Sequence, residues 1–259
     1  MATVSSAQFK PAPMGGFWRL VFTEFKLLMR EPLLMFWALL FPVALLIVLG
    51  SLVPDKPEHS LGGLRFIVVY TPVLMLFTLT LLSMSAMPAT LASYRDKGYL
   101  KRLATTPVGA PRLLAAQLVL VLGLSVCLVA LIVLVSHFAF NVPLPTQFAG
   151  FVLAILLTIA AVASLGMLVA AIAPSQRVAG AAGSLLFFPL MFFAGLWVPQ
   201  QEMGHTLRTF SQYTPLGAAV PSIQSAEAGR WPAAIHLIVL AVYAIVLCRI
   251  AIRLFRWDR

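Results

Sequence analysis

Residues 66–87 read FIVVYTPVLMLFTLTLLSMSAM, an uninterrupted run without a charged side chain. A helix needs about 20 predominantly apolar residues to cross the hydrocarbon core of a bilayer, and this run is long enough. An isolated strand would leave its backbone groups unpaired in lipid, so the run predicts a membrane-spanning helix. Pro72 inside the run is tolerated in such a helix.

The composition places the whole chain in the membrane class. Of its 259 residues, 61% are hydrophobic and only 10% are charged, whereas soluble domains carry about a quarter charged residues. The net charge of +10 lies in short gaps between apolar runs, which favours a role in orientation over nucleic-acid binding. The two cysteines, Cys127 and Cys248, show neither metal nor disulfide spacing.

Further apolar runs on both sides of residues 66–87 bring the predicted membrane-spanning helices to six. The others are Leu33–Val53, Leu113–Ser136, Phe148–Ala173, Val178–Val198 and Ala233–Leu247. With both termini in the cytoplasm, Lys and Arg divide 14 to 4 between inside and outside segments. This excess of positive charge on the inside supports that orientation. The predicted fold class is therefore all-α integral membrane protein.

An amphipathic helix is predicted before the first span. In FWRLVFTEFKLLMREP, residues 17–32, the apolar Trp18, Phe22, Phe25 and Met29 recur at helical spacing, and a second face carries cations. Such a helix is typical of one lying in the headgroup plane, and Pro32 ends it. A plain juxtamembrane anchor is the alternative. Residues 1–16 are polar and are expected to be a flexible N-terminus.

The region 199–232, between the fifth and sixth spans, contains apolar pieces that are too short to span. Its prolines break it into segments, which predicts short outer or re-entrant helices, with an ordinary extracellular loop as the alternative. Small residues recur at four-residue spacing and predict close helix packing, within the bundle or across a dimer. These pairs are Gly166 and Ala170, Ala179 and Gly183, and Gly180 and Ser184.

Several kinds of chemistry are missing from the sequence. All eight acidic residues lie outside the six predicted spans, which argues against a proton-coupled carrier. His137 and His236 fall near span ends and are expected to be interfacial. The sequence has no Gly-Lys pair and hence no phosphate loop, so energy for active transport would come from a partner chain. A secondary carrier or a membrane scaffold not powered by ATP is the alternative.

A basic strip, SYRDKGYLKRLATTPV at residues 93–108, separates the second and third spans. As a helix it would place Leu100, Leu103 and Ala104 on one side. Lys97, Lys101 and Arg102 would lie on another. An apolar knob beside positive charge suits docking into a soluble subunit. The alternative is a loop that is positive only because it lies on the cytoplasmic side.

Over residues 17–257 the chain resembles the permease subunits of type-2 ABC exporters, and its layout is similar to the daunorubicin-resistance membrane subunits. The resemblance rests on Arg30-Glu31-Pro32, on residues 94–103 followed by Thr106-Pro107, and on the outer stretches FFAGLWVPQQEM and YTPLGAAVPSI. Tyr94 stands where the family often has an acid, and Lys97 adds a positive charge.

The resemblance implies an export subunit that is not itself an enzyme. It implies two permeases, identical or paralogous, in a bacterial cell membrane on a pair of cytoplasmic ATP-binding subunits. ATP and Mg would be bound by those subunits, with no cofactor or metal in this chain. The substrate would be a drug, an antibiotic or a lipid-like molecule, apolar or amphiphilic, and its efflux would give resistance.

The resemblance also assigns roles to residues. Residues 94–106 would form the coupling helix, and its contacts with the ATPase subunit are expected from Tyr94, Arg95, Asp96, Lys97, Gly98, Leu100, Lys101, Arg102 and Leu103. The interfacial helix would act through Arg19, Lys26, Arg30 and Glu31. The expected lining of the substrate path is Phe36, Phe41, Met75, Phe187, Phe188, Phe192 and Phe193.

Overall fold

A computed structural model describes residues 14–53, 56–96 and 109–254 of the chain. The helices in chain order are α1 (Met14–Leu28), α2 (Pro32–Met35), α3 (Phe41–Leu52), α4 (Phe66–Leu81), α5 (Met87–Asp96), α6 (Gly109–Phe140), α7 (Phe148–Ile172), α8 (Gln176–Ala194), α9 (His205–Ser211), α10 (Pro215–Glu227) and α11 (Ala234–Leu254). Two π-helical turns, Phe36–Leu40 and Leu82–Ala86, join α2 to α3 and α4 to α5. A short antiparallel hairpin, β1 (Pro57–Glu58) and β2 (Leu64–Arg65), precedes α4.

In the described ranges, five helices are long and apolar enough to cross a membrane. They are Phe66–Tyr94, Ala115–Phe140, Phe148–Ile172, Gln176–Ala194 and Ala234–Leu254. The first predicted span forms a shorter apolar helix, Phe36–Leu52, so six spans stay a prediction. The predominantly helical membrane class is confirmed, while the small hairpin was not predicted.

The helices run alternately between two ends of the molecule. At one end, which we call the basal end, Tyr94 near the end of α5 contacts Glu24 of α1. At the opposite end, the Arg65 guanidinium donates to the carbonyls of Phe140 at 3.2 Å and Asn141 at 3.0 Å. A cation at this position satisfies carbonyls at the C-terminal end of α6 and opposes the negative end of its dipole. The hairpin is thereby fixed to α6.

The core is centred on α4, which is buried along nearly its whole length. Leu74, Met75, Leu76 and Leu79 are fully buried within it. Helix α10 has 13 residues, too few to span, but most of them are buried against α4, α7, α8 and α11. The Thr214 hydroxyl caps it by accepting from the Gly217 N–H at 3.1 Å. Short helices in the region 199–232 are therefore present, and α10 is part of the bundle.

The π-helical turn in the α4–α5 helix is packed tightly by two glycines. A Cβ atom at Gly166 of α7 would overlap the carbonyl oxygen of Ser83, and one at Gly183 of α8 would overlap that of Met84. Pro88 follows this turn as Pro42 follows the other one. Since proline lacks the N–H that continues the α-helical ladder, both π turns lie where that ladder is interrupted. The two glycines allow α7 and α8 to approach the widened turn.

Candidate functional site

Helix α1 packs on α6 through a face that the sequence pattern did not identify. Leu28 lies in an apolar cluster with Leu120 and Val121 of α6, and Leu20 packs against Leu113. Between Leu20 and Leu28, one turn from each, Glu24 is also buried. Of the residues predicted to form an apolar face, Trp18, Phe22 and Met29 are exposed, whereas Phe25 packs against the same cluster as Leu28. The predicted apolar face is thus mostly exposed, and the packed face lies beside it.

The carboxylate of Glu24 is the centre of a buried polar contact between three helices. Its side chain is 4% exposed. The Tyr94 hydroxyl of α5 donates to its two oxygens, at 2.9 Å to Oε1 and 2.8 Å to Oε2. The Gln117 amide of α6 donates to Oε2 at 2.6 Å. We call Glu24, Tyr94 and Gln117 the Glu24 junction.

The electrostatics of the junction are those of a desolvated acid with neutral donors. Burial raises the pKa of Glu24, and the hydrogen bonds from Tyr94 and Gln117 oppose that rise without cancelling it. Each hydrogen bond to a charged group is worth about 1.5–3 kcal/mol, and an unpaired buried carboxylate costs more than a bond lost on the surface. The junction therefore resists separation of α1 from α5 and α6.

Tyr94 is the first residue predicted to contact an ATPase subunit, and the structure places it in the Glu24 junction. Arg95 and Asp96 complete α5. The remaining predicted contact residues, Lys97, Gly98, Leu100, Lys101, Arg102 and Leu103, lie outside the described residues. Their contact with a partner stays a prediction. The structure adds that Tyr94, within the strip, bonds Glu24 of α1, to which Gln117 of α6 also donates.

A cavity of about 340 Å³ lies beside the junction. Leu28, Leu120 and Val121 contribute apolar walls, and the hydroxyls of Ser85 and Ser93 and the carboxylate of Glu24 contribute polar ones. Arg30 and Glu31 also line it, and both are exposed. The lining of the cavity thus combines apolar side chains with a buried carboxylate.

The four predicted interfacial residues are all exposed. Arg19 and Lys26 lie on α1, whereas Arg30 and Glu31 follow its end at Leu28. An open apolar groove of about 930 Å³ runs between α1 and α6, lined by Trp18 and Phe22 on α1 and by Leu124 and Cys127 on α6. Arg19 also lines this groove, so α1 presents a cation beside apolar side chains there.

The predicted path residues separate into different environments. Phe41, Phe77, Phe187 and Phe188 form a continuous row of rings, with successive centroids 5.5, 5.3 and 5.9 Å apart. Phe77 joins the row although the sequence pattern did not single it out. Met75 is fully buried and Phe36 is exposed, and Phe192 contacts Phe193 with centroids 5.5 Å apart. Their role in a path stays a prediction.

Sequence reasoning missed Glu24 and Gln117 as members of the site. Glu24 was counted only as an acid outside the spans, although its i−4 and i+4 neighbours, Leu20 and Leu28, are both apolar. That spacing was the available signal. Gln117 is an uncharged polar residue one turn beyond Leu113 on α6, and nothing in its immediate sequence indicates a partner.

Comparison with known proteins gives a match over most of the chain. The family model described as ABC-2 type transporter matches residues 15–228. A search of curated protein sequences gives no match. The matched residues begin in α1 and end just after α10, so they include all three members of the Glu24 junction.

Proposed function

Because the chain belongs to the ABC-2 type transporter family, we propose that it is the membrane-spanning permease subunit of an ATP-driven exporter. The family match over residues 15–228 carries this proposal. It is supported by the five apolar helices, each long enough to cross a membrane. The chain would sit in a bacterial cell membrane with both termini in the cytoplasm.

The energy would come from a separate pair of cytoplasmic ATP-binding subunits. This sequence has no Gly-Lys pair and therefore no phosphate loop. ATP and Mg would be bound and hydrolysed in the partner chains. A second permease, identical or paralogous, would complete the complex.

The Glu24 junction supports a route for force from the partner into the membrane. Tyr94 lies in the basic strip that would dock on the ATPase, and its hydroxyl donates to Glu24 of α1. Gln117 extends the contact to α6. Movement of the strip on ATP binding would pull on α1 and α6 together, because the junction connects all three helices. Helix α5 would carry the same movement through the π turn into α4.

Helix α1 would lie in the cytoplasmic headgroup layer. Trp18, Phe22 and Met29 are exposed on its outward side, and Arg19 and Lys26 are exposed cations. Aromatic and basic side chains of this kind anchor helices at a membrane interface. The open groove beside α6 offers acyl chains an apolar surface.

The proposed substrate is apolar or amphiphilic: a drug, an antibiotic or a lipid-like molecule. The row of rings from Phe41 to Phe188 supports a path of this character, because aromatic faces bind apolar bodies without needing hydrogen bonds. The path would open when the two permeases shift relative to each other.

The proposal is tested by reversing charge in the basic strip. The double variant Arg95→Glu/Arg102→Glu is co-expressed with an ATP-binding chain encoded beside it, and co-purification, stimulated ATPase activity and transport in proteoliposomes are measured. We expect loss of complex and of stimulation, because two attractive contacts become repulsive. The matched control is Arg249→Glu/Arg253→Glu, two exposed cations at the basal end of α11.

Equal loss in both double variants would show that general basal charge, not the strip, governs assembly. Unchanged assembly and transport in the strip variant would contradict the docking role. Transport that continues without ATP and stops when the proton gradient is dissipated would overturn the exporter proposal in favour of a secondary carrier.

A further inference from the structure

The cavity beside the Glu24 junction has the size of a small-molecule site. Its volume of about 340 Å³ falls within the range of ligand pockets, about 300–1,000 Å³. It lies between α1, α5, α6 and the beginning of α8, since Gln176 lines it as well. The apolar walls are formed by Leu28, Leu120 and Val121, which belong to one buried cluster. A ligand there would have an apolar body.

The polar side of the cavity is dominated by one buried carboxylate. Both described donors to Glu24, the Tyr94 hydroxyl and the Gln117 amide, are neutral. In the part of the chain that the structure describes, no cationic side chain pairs with it. A carboxylate has about four acceptor sites, and Oε1 receives a single described hydrogen bond, from Tyr94. Within the described residues, Glu24 thus has acceptor capacity left and no cation that compensates its charge.

Buried carboxylates of this kind are stabilised by a cation that also donates hydrogen bonds. The Ser85 and Ser93 hydroxyls line the same cavity and provide further acceptors for N–H groups. The exposed Arg30 and Glu31 line it with opposite charges, so the net charge of the lining is negative because of Glu24.

From this arrangement we infer that the cavity binds a protonated amine carried on an apolar body, with the ammonium group on Glu24 and the apolar body against Leu28, Leu120 and Val121. Two sources share this chemistry: the amine headgroup of a membrane lipid and an exported amphiphile. The inference goes beyond the proposed export function and does not require an ATPase subunit.

The test is a ligand titration of the purified full-length chain in a neutral maltoside detergent. Dodecylamine and dodecan-1-ol are matched in chain length and differ in the ammonium group, and thermal unfolding reports binding. We expect dodecylamine to stabilise the wild type at lower concentration than dodecanol. Glu24→Gln should raise the dodecylamine concentration needed by roughly tenfold or more, because a charge-assisted hydrogen bond is replaced by a neutral one, and should leave dodecanol unchanged.

Two further variants separate a local effect from a general one. Glu58→Gln removes an exposed carboxylate at the opposite end of the molecule and should leave both titrations unchanged. Ala89→Leu places a larger side chain in the cavity wall and should weaken both probes by filling the space. Equal binding of dodecylamine to wild type and Glu24→Gln, or binding unaffected by Ala89→Leu, overturns the inference.

The source of the amine is identified by native mass spectrometry after equilibration with vesicles of phosphatidylethanolamine or phosphatidylcholine. Retention of phosphatidylethanolamine by wild type, and its loss in Glu24→Gln, identifies a lipid headgroup, because only this lipid carries N–H donors. Dodecylamine binding without such retention excludes this lipid headgroup and favours an amphiphilic amine that is not a membrane lipid. All of these measurements use the permease alone, so their failure is distinguishable from failure of the ATPase-coupling experiment.

Discussion

At the scale of single residues, Glu24 shows that burial changes the structural role of an acidic side chain. On a helix with exposed arginine and lysine, an acid would ordinarily balance charge at the surface. Here it is 4% exposed and accepts bonds from two other helices. Its value lies in holding helices together, since a surface ion pair contributes about 0–1 kcal/mol and a buried charged hydrogen bond contributes more.

The first residue-scale prediction concerns Tyr94→Phe. The substitution removes the hydroxyl that donates to both oxygens of Glu24 and keeps the ring. We expect the free energy of unfolding to fall by about 1–3 kcal/mol, because a buried carboxylate loses a donor. Thermal unfolding in detergent measures the change. Tyr213→Phe, at an exposed tyrosine at the opposite end, is the control, and an equal effect of both changes would contradict the role of the junction.

A functional measurement on the same variant separates coupling from stability. If Tyr94 carries movement from the strip into α1, Tyr94→Phe should reduce substrate-stimulated ATPase activity at a temperature where the variant is fully folded. Co-purification with the ATPase should remain, since the cations of the strip are intact. Normal stimulation with a lowered melting temperature would assign the hydroxyl to stability alone.

A second residue-scale prediction concerns pH. Burial raises the pKa of Glu227, at the end of α10, from 4.5 to about 8. The folded state therefore holds this proton more tightly than the unfolded state, so its contribution to stability is complete below pH 4.5 and is lost as pH rises to about 8. We expect Glu227→Gln to flatten the dependence of melting temperature on pH across this window. A curve as steep as that of wild type would contradict the desolvated state of the acid.

At the scale of helices, the small residues that share four-residue spacing differ in whether they contact another helix. Gly166 and Gly183 meet backbone carbonyls of the π turn at Leu82–Ala86. Gly180, one turn before Gly183 on the same helix, has no atom near the place where a Cβ would lie. The four-residue spacing is common to both kinds, so it cannot distinguish a glycine that contacts another helix from one that does not.

The corresponding prediction is a pair of alanine substitutions on α8. Gly183→Ala should lower the free energy of unfolding by about 1–3 kcal/mol, because its methyl group would overlap the Met84 carbonyl. Gly180→Ala should be neutral or stabilising by up to about 1 kcal/mol, because alanine favours the helix and space is open. Thermal unfolding of both variants provides the comparison, and equal destabilisation would show that the α8 contact is not as close as described.

Hydrophobic runs predicted the long helices closely, as the run Phe148–Ala173 and the helix Phe148–Ile172 illustrate. The apolar spacing on α1 predicted an amphipathic helix but did not indicate which face packs against α6. In lipid both the protein interior and the surroundings are apolar, so the spacing of Trp18, Phe22 and Met29 could not distinguish the packed face from the lipid face. The hairpin at 57–65 depends on contacts between distant segments, such as Arg65 with Phe140. Each π turn is followed by a proline, which was a local signal that the sequence analysis did not use.

At the scale of the whole molecule, the alternating direction of the helices determines which residues lie at the same end of the bundle. Arg177 lies at the basal end, lining a groove with Ala89, whereas Glu58 lies in the hairpin at the opposite end. The excess of Lys and Arg predicts that the basal end lies in the cytoplasm. The structure shows which residues lie at each end, and the side of the membrane that each end occupies is a prediction from charge.

That placement gives a labelling prediction. In a variant with Cys127 and Cys248 replaced by alanine, a single cysteine at Glu58 should react with a membrane-impermeant maleimide on intact cells. A single cysteine at Arg177 should react only after the membrane is permeabilised. Both positions are exposed, so access to the reagent decides the result. The reverse pattern would place the basal end outside and would contradict cytoplasmic docking.

The sequence predicted the basic strip beside the candidate site, but not the contacts that form the Glu24 junction. The strip at 93–108 stands out because its charges interrupt apolar runs, and the sequence predicts Tyr94 to be a contact with the ATPase subunit, not a partner of Glu24. Its partner Glu24 lies 70 residues away in the chain, and Gln117 is 93 residues from Glu24. A pairing over such separations is fixed by how the helices pack, which local spacing does not encode.

The π turn at Leu82–Ala86 has a further consequence for the end of its helix. A π turn corresponds to one inserted residue in an α-helix, and each helical residue advances the rotation by about 100°. Deleting one residue here would restore regular winding and rotate everything beyond it, Tyr94 included, away from Glu24. The insertion therefore sets the rotational phase at which the helix presents its last turn, and the length of this segment matters as much as its composition.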